Sequence, residues 1–182
     1  MIFNLPNGLT ALRIVLIPFF VGFASIPGEQ GHILSAVFFT LAAWTDWADG
    51  YVARRQGLLT SFGRFFDPVA DKLLVISALV LLVSDGRAPL ALVMIVLARE
   101  VMVMALRERM AGLGEGVPVS KSGKVKTALQ MTAIVMLLLQ SSFGGIDFQL
   151  PGLALLFLST LFSLLSGYRY FVQAWPRIQQ GN

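Results

Sequence analysis

The sequence contains no cysteine and a single histidine, His32, which excludes disulfide frameworks, thiolate chemistry and the usual zinc sites. Charge is also scarce. Of the 182 residues 13% are charged, whereas 56% are hydrophobic, and the mean hydropathy is +0.75. A soluble domain of this length needs more charge to cover its surface. The composition therefore predicts an integral membrane protein with one domain over residues 1–182.

Six apolar runs alternate with polar or glycine-rich turns along the chain. Each run is about 18 residues or longer, so a helix rising ~1.5 Å per residue crosses a hydrocarbon layer about 30 Å thick. We therefore expect an all-α membrane protein with six transmembrane helices. They are predicted at about residues 9–26, 32–54, 67–83, 89–106, 122–140 and 150–170.

The distribution of lysine and arginine predicts the orientation. Six crossings put both termini on one side, and by the positive-inside rule the side richer in these residues faces the cytoplasm. The opposite loops hold only Arg87. Both termini are therefore expected in the cytoplasm, together with a basic surface loop over residues 107–126 and the acidic cluster described next.

Four of the ten acidic residues interrupt this apolar sequence. Asp46 and Asp49 are three residues apart and Asp67 and Asp71 are four apart, so each pair lies on one face of a helix. An ionised carboxylate at the membrane centre costs at least roughly 2.5 to 3.5 kcal/mol. Two divalent cations would offset four carboxylates, and oxygen ligands suit Mg²⁺, Mn²⁺ or Ca²⁺.

The residues alone leave three interpretations of this cluster. Carboxylates near helix ends can simply face water, and intramembrane carboxylates also mark cation or proton pathways. The third interpretation is a metal site for a phosphate-bearing substrate, in which metal ions clamp a pyrophosphate and a carboxylate accepts a proton from an attacking hydroxyl. Two helix-spaced pairs with Gly50 and Arg54 nearby favour the metal site. Their position at the cytoplasmic ends disfavours a transport path.

The spacing of these residues also carries a family resemblance. The pattern has eight fixed positions: Asp46, Asp49, Gly50, Ala53, Arg54, Gly63, Asp67 and Asp71. It resembles the complete signature of the CDP-alcohol phosphatidyltransferase family. Residues 4–13, 97–100 and 122–130 further resemble the bacterial branch that makes phosphatidylglycerophosphate, so the similarity covers nearly the whole chain.

The resemblance implies a multi-pass enzyme of the bacterial inner membrane, with its active site facing the cytoplasm. The implied reaction transfers the phosphatidyl group of CDP-diacylglycerol to sn-glycerol 3-phosphate, giving phosphatidylglycerophosphate and CMP. Carried over by position, Asp46, Asp49, Asp67 and Asp71 would bind two Mg²⁺ or Mn²⁺ ions, and Asp71 would also be the general base. A homodimer in the bilayer is expected from the relatives, with no nucleic acid as partner. The implied nucleotide site consists of Asp49, Gly50, Ala53, Arg54, Gly63 and Asp67.

Basic side chains on the cytoplasmic side are expected to bind the phosphate of the acceptor. The candidates are Arg99, Arg107, Lys121, Lys124, Lys126 and Arg169. Basic residues of a cytoplasmic loop also arise from topology and attraction to anionic lipids alone. Arg99 and Glu100, adjacent charges inside a span, are either a structural ion pair or part of the acceptor site. Arg13 is placed to snorkel to lipid phosphates, and His32 is expected at the outer surface.

Other functions fit the same pattern. Within the family the acceptor would be phosphatidylglycerol in a cardiolipin synthase, or inositol phosphate in a phosphatidylinositol phosphate synthase. A cation transporter would use the carboxylates as a relay. A relative that binds nucleotide without turnover is disfavoured by the intact motif.

Overall fold

The computed structural model describes residues 5–56, 61–113, 121–140 and 146–180, with side chains described except at 5–7, 9–10, 46–56, 61–68, 121–122 and 179–180. These residues form six helices joined by turns, which confirms the all-α prediction. The helices are α1 (Leu5–Ala24), α2 (Glu29–Gln56), α3 (Ser61–Ser84), α4 (Leu90–Gly112), α5 (Lys121–Leu139) and α6 (Gln149–Gln180).

Each predicted span corresponds to one helix, but several helices extend further than predicted. α3 begins at Ser61, so residues 61–63 are helical rather than part of the connection. α4 continues to Gly112 and α5 begins at Lys121, so the predicted loop over 107–126 is wrong at both of its ends. Arg, Glu, Met and Lys are good helix formers, so a polar segment that consists of them does not end a helix. α6 continues to Gln180, ten residues beyond the predicted span.

The core is formed where the helices pack in pairs, chiefly α1 on α2 and α5 on α6, with α4 packed against α6. Its buried side chains come from all six helices. Phe20 of α1 meets Phe39 of α2 edge to face, with ring centroids 5.8 Å apart. Further buried side chains are Leu79, Val93, Ile134 and Leu156. The site described below is therefore carried on tightly packed helices.

One described helix meets the length and hydropathy expected of a membrane span. The most apolar 18-residue segment within Gln149–Ile178 has a mean hydropathy of 1.8, and 33% of that segment is buried. A shorter apolar stretch covers Ala11–Ala24. The six crossings and their orientation stay predictions.

Arg87, in the turn between α3 and α4, contacts α2 and α5 at one end of the bundle. Its guanidinium donates hydrogen bonds to the carbonyl oxygens of Leu137 (3.3 Å) and Leu138 (3.1 Å) at the end of α5. It also lies 2.6 Å from His32 Nε2 and 3.5 Å from a carboxylate oxygen of Asp85. His32, predicted at the outer surface, is partly exposed, and its ring contacts Arg87.

Arg13 of α1 is another arginine that the structure places inside. It is 0% exposed, so its side chain packs within the bundle and does not reach lipid phosphates. The snorkelling prediction is wrong for this residue.

Candidate active site

The predicted acidic motif falls on two successive helices. Its residues from Asp46 to Arg54 lie in α2, and those from Gly63 to Asp71 lie in α3. The helical spacing of both aspartate pairs thus agrees with the structure. The convergence of the four carboxylates stays a prediction. Outside the described side chains lie the predicted site residues Asp46, Asp49, Gly50, Ala53, Arg54, Gly63, Asp67 and Lys121.

Asp71 is the one predicted metal ligand whose surroundings are described. Its Oδ2 lies 3.1 Å from Lys72 Nζ, and its side chain is partly exposed. Among the described side chains, no three His, Cys, Asp or Glu residues lie close enough together to hold a metal ion. The chemistry of the donor set fits a divalent cation, because carboxylate oxygens are the ligands that Mg²⁺ and Mn²⁺ prefer.

Asp71 lies on the wall of a cavity of about 270 Å³ between α3, α4, α5 and α6, which we call the polar cavity. Val103, Met104, Gly123, Thr127 and Tyr170 form its uncharged wall. Seven charged residues complete the lining: Asp71, Lys72, Arg99, Glu100, Arg107, Glu108 and Lys126. Four of them are basic and come from three different helices, so this cavity is suited to an anion.

Glu100 lies at the centre of these charges and is only 6% exposed. Its Oε2 is 2.8 Å from Lys72 Nζ, and its Oε1 is 3.0 Å from Arg99 Nη1. The ammonium of Lys126, itself 4% exposed, also donates to Oε1. An isolated buried carboxylate is costly, whereas one that accepts from three cations is compensated. Glu100 therefore joins α3, α4 and α5 through one carboxylate.

Arg99 is held in place from the other side by α6. Its Nε donates to the carbonyl oxygen of Ser163 at 2.9 Å, and its Nη2 donates to Ser166 Oγ. A Cβ at Gly167 would lie 3.2 Å from Arg99 Nε, so glycine leaves the room that the guanidinium needs. Arg99 and Glu100 form an ion pair and also line the polar cavity, and their part in an acceptor site stays a prediction.

Arg107 lines the polar cavity about two turns further along α4 than Arg99 and Glu100. Its Nη2 donates to the hydroxyl of Tyr170 at 2.8 Å, which fixes the guanidinium against α6. Two other predicted acceptor residues, Lys124 and Arg169, are exposed and are not part of the cavity lining. The described candidates that line the cavity are Arg99, Arg107 and Lys126.

The candidate site residues predicted from the sequence did not include Lys72. Lys72 follows the acidic motif directly, and a lysine inside an apolar run is the signal that would have found it. Tyr170 was also missed. Its role depends on contact with Arg107, 63 residues earlier in the chain.

The acidic motif on two helices and the polar cavity beside Asp71 agree with the class of protein that sequence comparison identifies. The sequence profile of the CDP-alcohol phosphatidyltransferase family matches residues 3–166, so the chain belongs to this family. The family resemblance is thereby confirmed. Its members are transferases and generally depend on divalent cations.

Individual relatives are similar over nearly the full length. The three relatives that follow are each named CDP-diacylglycerol--glycerol-3-phosphate 3-phosphatidyltransferase. The relative from Bacillus subtilis is 41% identical, covering 99% of this chain and 100% of its own. The relative from Rickettsia felis is 41% identical over 92% of this chain and 93% of its own. The relative from Salmonella paratyphi A is 42% identical over 94% of this chain and 95% of its own.

Proposed function

We propose that this protein transfers the phosphatidyl group of CDP-diacylglycerol to sn-glycerol 3-phosphate, producing phosphatidylglycerophosphate and CMP in phospholipid biosynthesis. The observation that carries the proposal is the identity of 41% or 42% over nearly the whole chain to relatives named for this reaction. The polar cavity beside Asp71, with its four basic side chains, supports the acceptor half of the reaction.

For the donor half, Asp46, Asp49, Asp67 and Asp71 are proposed to hold two divalent ions, Mg²⁺ or Mn²⁺. Bound ions would neutralise the pyrophosphate of the donor. The cytidine nucleotide would lie against α2 and the start of α3, where small residues permit close approach of the backbone. The proposed nucleotide site consists of Asp49, Gly50, Ala53, Arg54, Gly63 and Asp67.

Asp71 is proposed as the general base, and the support is that this carboxylate, the one motif aspartate with a described side chain, borders the polar cavity. It accepts the proton of the acceptor hydroxyl as that oxygen attacks the phosphorus of the phosphatidyl group. The bond from this phosphorus to the bridging oxygen breaks, and CMP leaves with the electron pair. Holding the acceptor beside Asp71 is therefore the main contribution of the cavity.

The charge of the polar cavity matches a phosphomonoester. Four basic side chains face three carboxylates, one of which, Asp71, is proposed to serve the metal ions. The four cations then exceed the two remaining carboxylates by two charges. A dianionic phosphate offsets this excess, whereas the singly charged phosphodiester of phosphatidylglycerol offsets half of it. The cavity charge thus favours glycerol 3-phosphate over the acceptor of a cardiolipin synthase.

We further propose that six helices cross the bacterial inner membrane, with both termini and the active site at the cytoplasmic side, as a homodimer. The apolar character of α6 supports the membrane location. Large apolar side chains are also exposed on the other helices, for example Val15, Leu41, Val80 and Met102. Exposed apolar surface of this extent is typical of contact with lipid.

The test is CMP release by the purified protein in detergent or liposomes. With CDP-diacylglycerol and Mg²⁺ or Mn²⁺, we expect CMP only when glycerol 3-phosphate is supplied. Chelation of the metal should stop the release, and added metal should restore it. Release with phosphatidylglycerol or inositol phosphate instead would contradict the acceptor assignment. Ion flux in proteoliposomes without any response to CDP-linked lipids would contradict the enzyme assignment.

A further inference from the structure

Lys72 lies between two carboxylates that have different roles. Its ammonium is 3.1 Å from Asp71 Oδ2 and 2.8 Å from Glu100 Oε2. Asp71 is its neighbour on α3, whereas Glu100 reaches it from α4. Because a lysine ammonium is a compact charge on a flexible stem, its position follows the carboxylate that attracts it more strongly.

We propose that Glu100 is a positioning residue that shares the Lys72 ammonium with Asp71 and gathers Lys72, Lys126 and Arg99 at the phosphate of the acceptor. This inference rests on the proposed function. The three cations reach Glu100 from α3, α4 and α5. Without a shared counter-charge they would repel one another and separate, and the cavity would lose its shape for a phosphate.

The geometry distinguishes this role from that of a base. Both carboxylate oxygens of Glu100 already accept from cations, Oε1 from Arg99 and Lys126 and Oε2 from Lys72. At 6% exposure the carboxylate has little access to a substrate proton. Glu100 therefore acts through its neighbours. An ordinary structural ion pair would need one cation, whereas here three are collected at the wall of a cavity.

Removal of Glu100 also affects Asp71. Among the described acidic side chains, Asp71 is the only other carboxylate paired with Lys72. In Glu100→Gln the Lys72 ammonium would pair with Asp71 alone, which opposes the role of Asp71 as base and metal ligand. The lost charge thus weakens acceptor binding directly and raises the metal concentration needed for half-maximal rate.

The first measurement is steady-state kinetics of CMP release by Glu100→Gln, which keeps the side-chain shape and removes the charge. The KM for glycerol 3-phosphate should rise by about tenfold or more, since a change of ~1.4 kcal/mol in binding corresponds to that factor. With the metal at a saturating concentration, the KM for CDP-diacylglycerol should stay near that of the parent protein. Glu100→Asp, which retains the charge on a shorter stem, should recover part of the loss.

The matched control is Glu29→Gln, an exposed acidic residue at the start of α2, which should leave both KM values unchanged. Unchanged kinetics in Glu100→Gln would overturn the proposal. An equal effect on both KM values together with a lower thermal stability would also overturn it, because that result indicates a purely structural pair. If the parent protein gives no CMP with glycerol 3-phosphate, the proposed function fails independently of the variant.

A second measurement does not depend on turnover. Lys126 is 4% exposed and its ammonium is bound by Glu100, so in the parent protein it should react slowly with an amine-acylating reagent. In Glu100→Gln the labelling of Lys126, followed by mass spectrometry, should be faster. Lys124, exposed in the same helix, serves as internal reference. Equal labelling rates in the parent and the variant would show that Glu100 does not hold this lysine.

Discussion

Replacement of Arg87 by methionine should lower the stability of the bundle without altering the chemistry. Methionine is of similar length but donates no hydrogen bond. Arg87 is 8% exposed and binds two carbonyl oxygens at the end of α5, at 3.3 and 3.1 Å. Burial lowers the pKa of Arg87 and Asp85 opposes that shift, and an arginine remains charged at neutral pH.

The size of the effect follows from these contacts. A hydrogen bond to a charged group contributes about 1.5–3 kcal/mol, and the long distances here justify the lower figure, so two bonds give roughly 3 kcal/mol. The loss of a cation at a helix C-terminus adds a smaller amount in the same direction. For a protein of this length, 1 kcal/mol shifts the melting temperature by ~2–4 °C, so we expect a decrease of about 6–12 °C.

Thermal unfolding in detergent at a fixed scan rate is the assay, with Arg109→Met as control. Arg109 is exposed on α4, and no ion-pair partner for it occurs among the described residues. Its replacement should change the melting temperature little. A melting temperature of Arg87→Met equal to that of the control would refute the stabilising role of Arg87. Loss of CMP release without loss of stability would refute the view that Arg87 acts only in the fold.

Two further substitutions test the site. Asp71→Asn should lower CMP release by at least about 10²-fold, because a positioned general base contributes that much, while binding of a cytidine nucleotide with metal persists in part; full turnover would contradict the base assignment. Arg107→Gln should raise the KM for glycerol 3-phosphate by about tenfold or more, because a hydrogen bond to a charged group contributes about 1.5–3 kcal/mol. Arg109→Gln, outside the polar cavity, should leave that KM unchanged, and equal values in the two variants would contradict the assignment of Arg107.

The number and order of the helices could be predicted from the sequence because each apolar run is long enough to identify one helix. The helix ends were predicted less well. The residues from Arg107 to Arg109 are polar but form helices readily, so composition placed the end of α4 too early. At the other end of the bundle, Arg87 was predicted in a loop, and the composition of a turn does not show that a side chain folds back onto α5.

Local pattern was sufficient for the acidic motif, since helical spacing and family resemblance depend on residues within one or two helices. It determined the family, the all-α class and the proposed roles of the aspartates. The tertiary structure alone placed Lys72, Glu100 and Lys126 in one cavity and buried Arg13. The contact between Lys126 and Glu100 joins residues 26 positions apart, and that between Arg99 and Ser166 joins residues 67 apart. Such contacts depend on how the helices pack against each other, and the periodicity of a single helix shows which face is apolar but not which neighbour covers it.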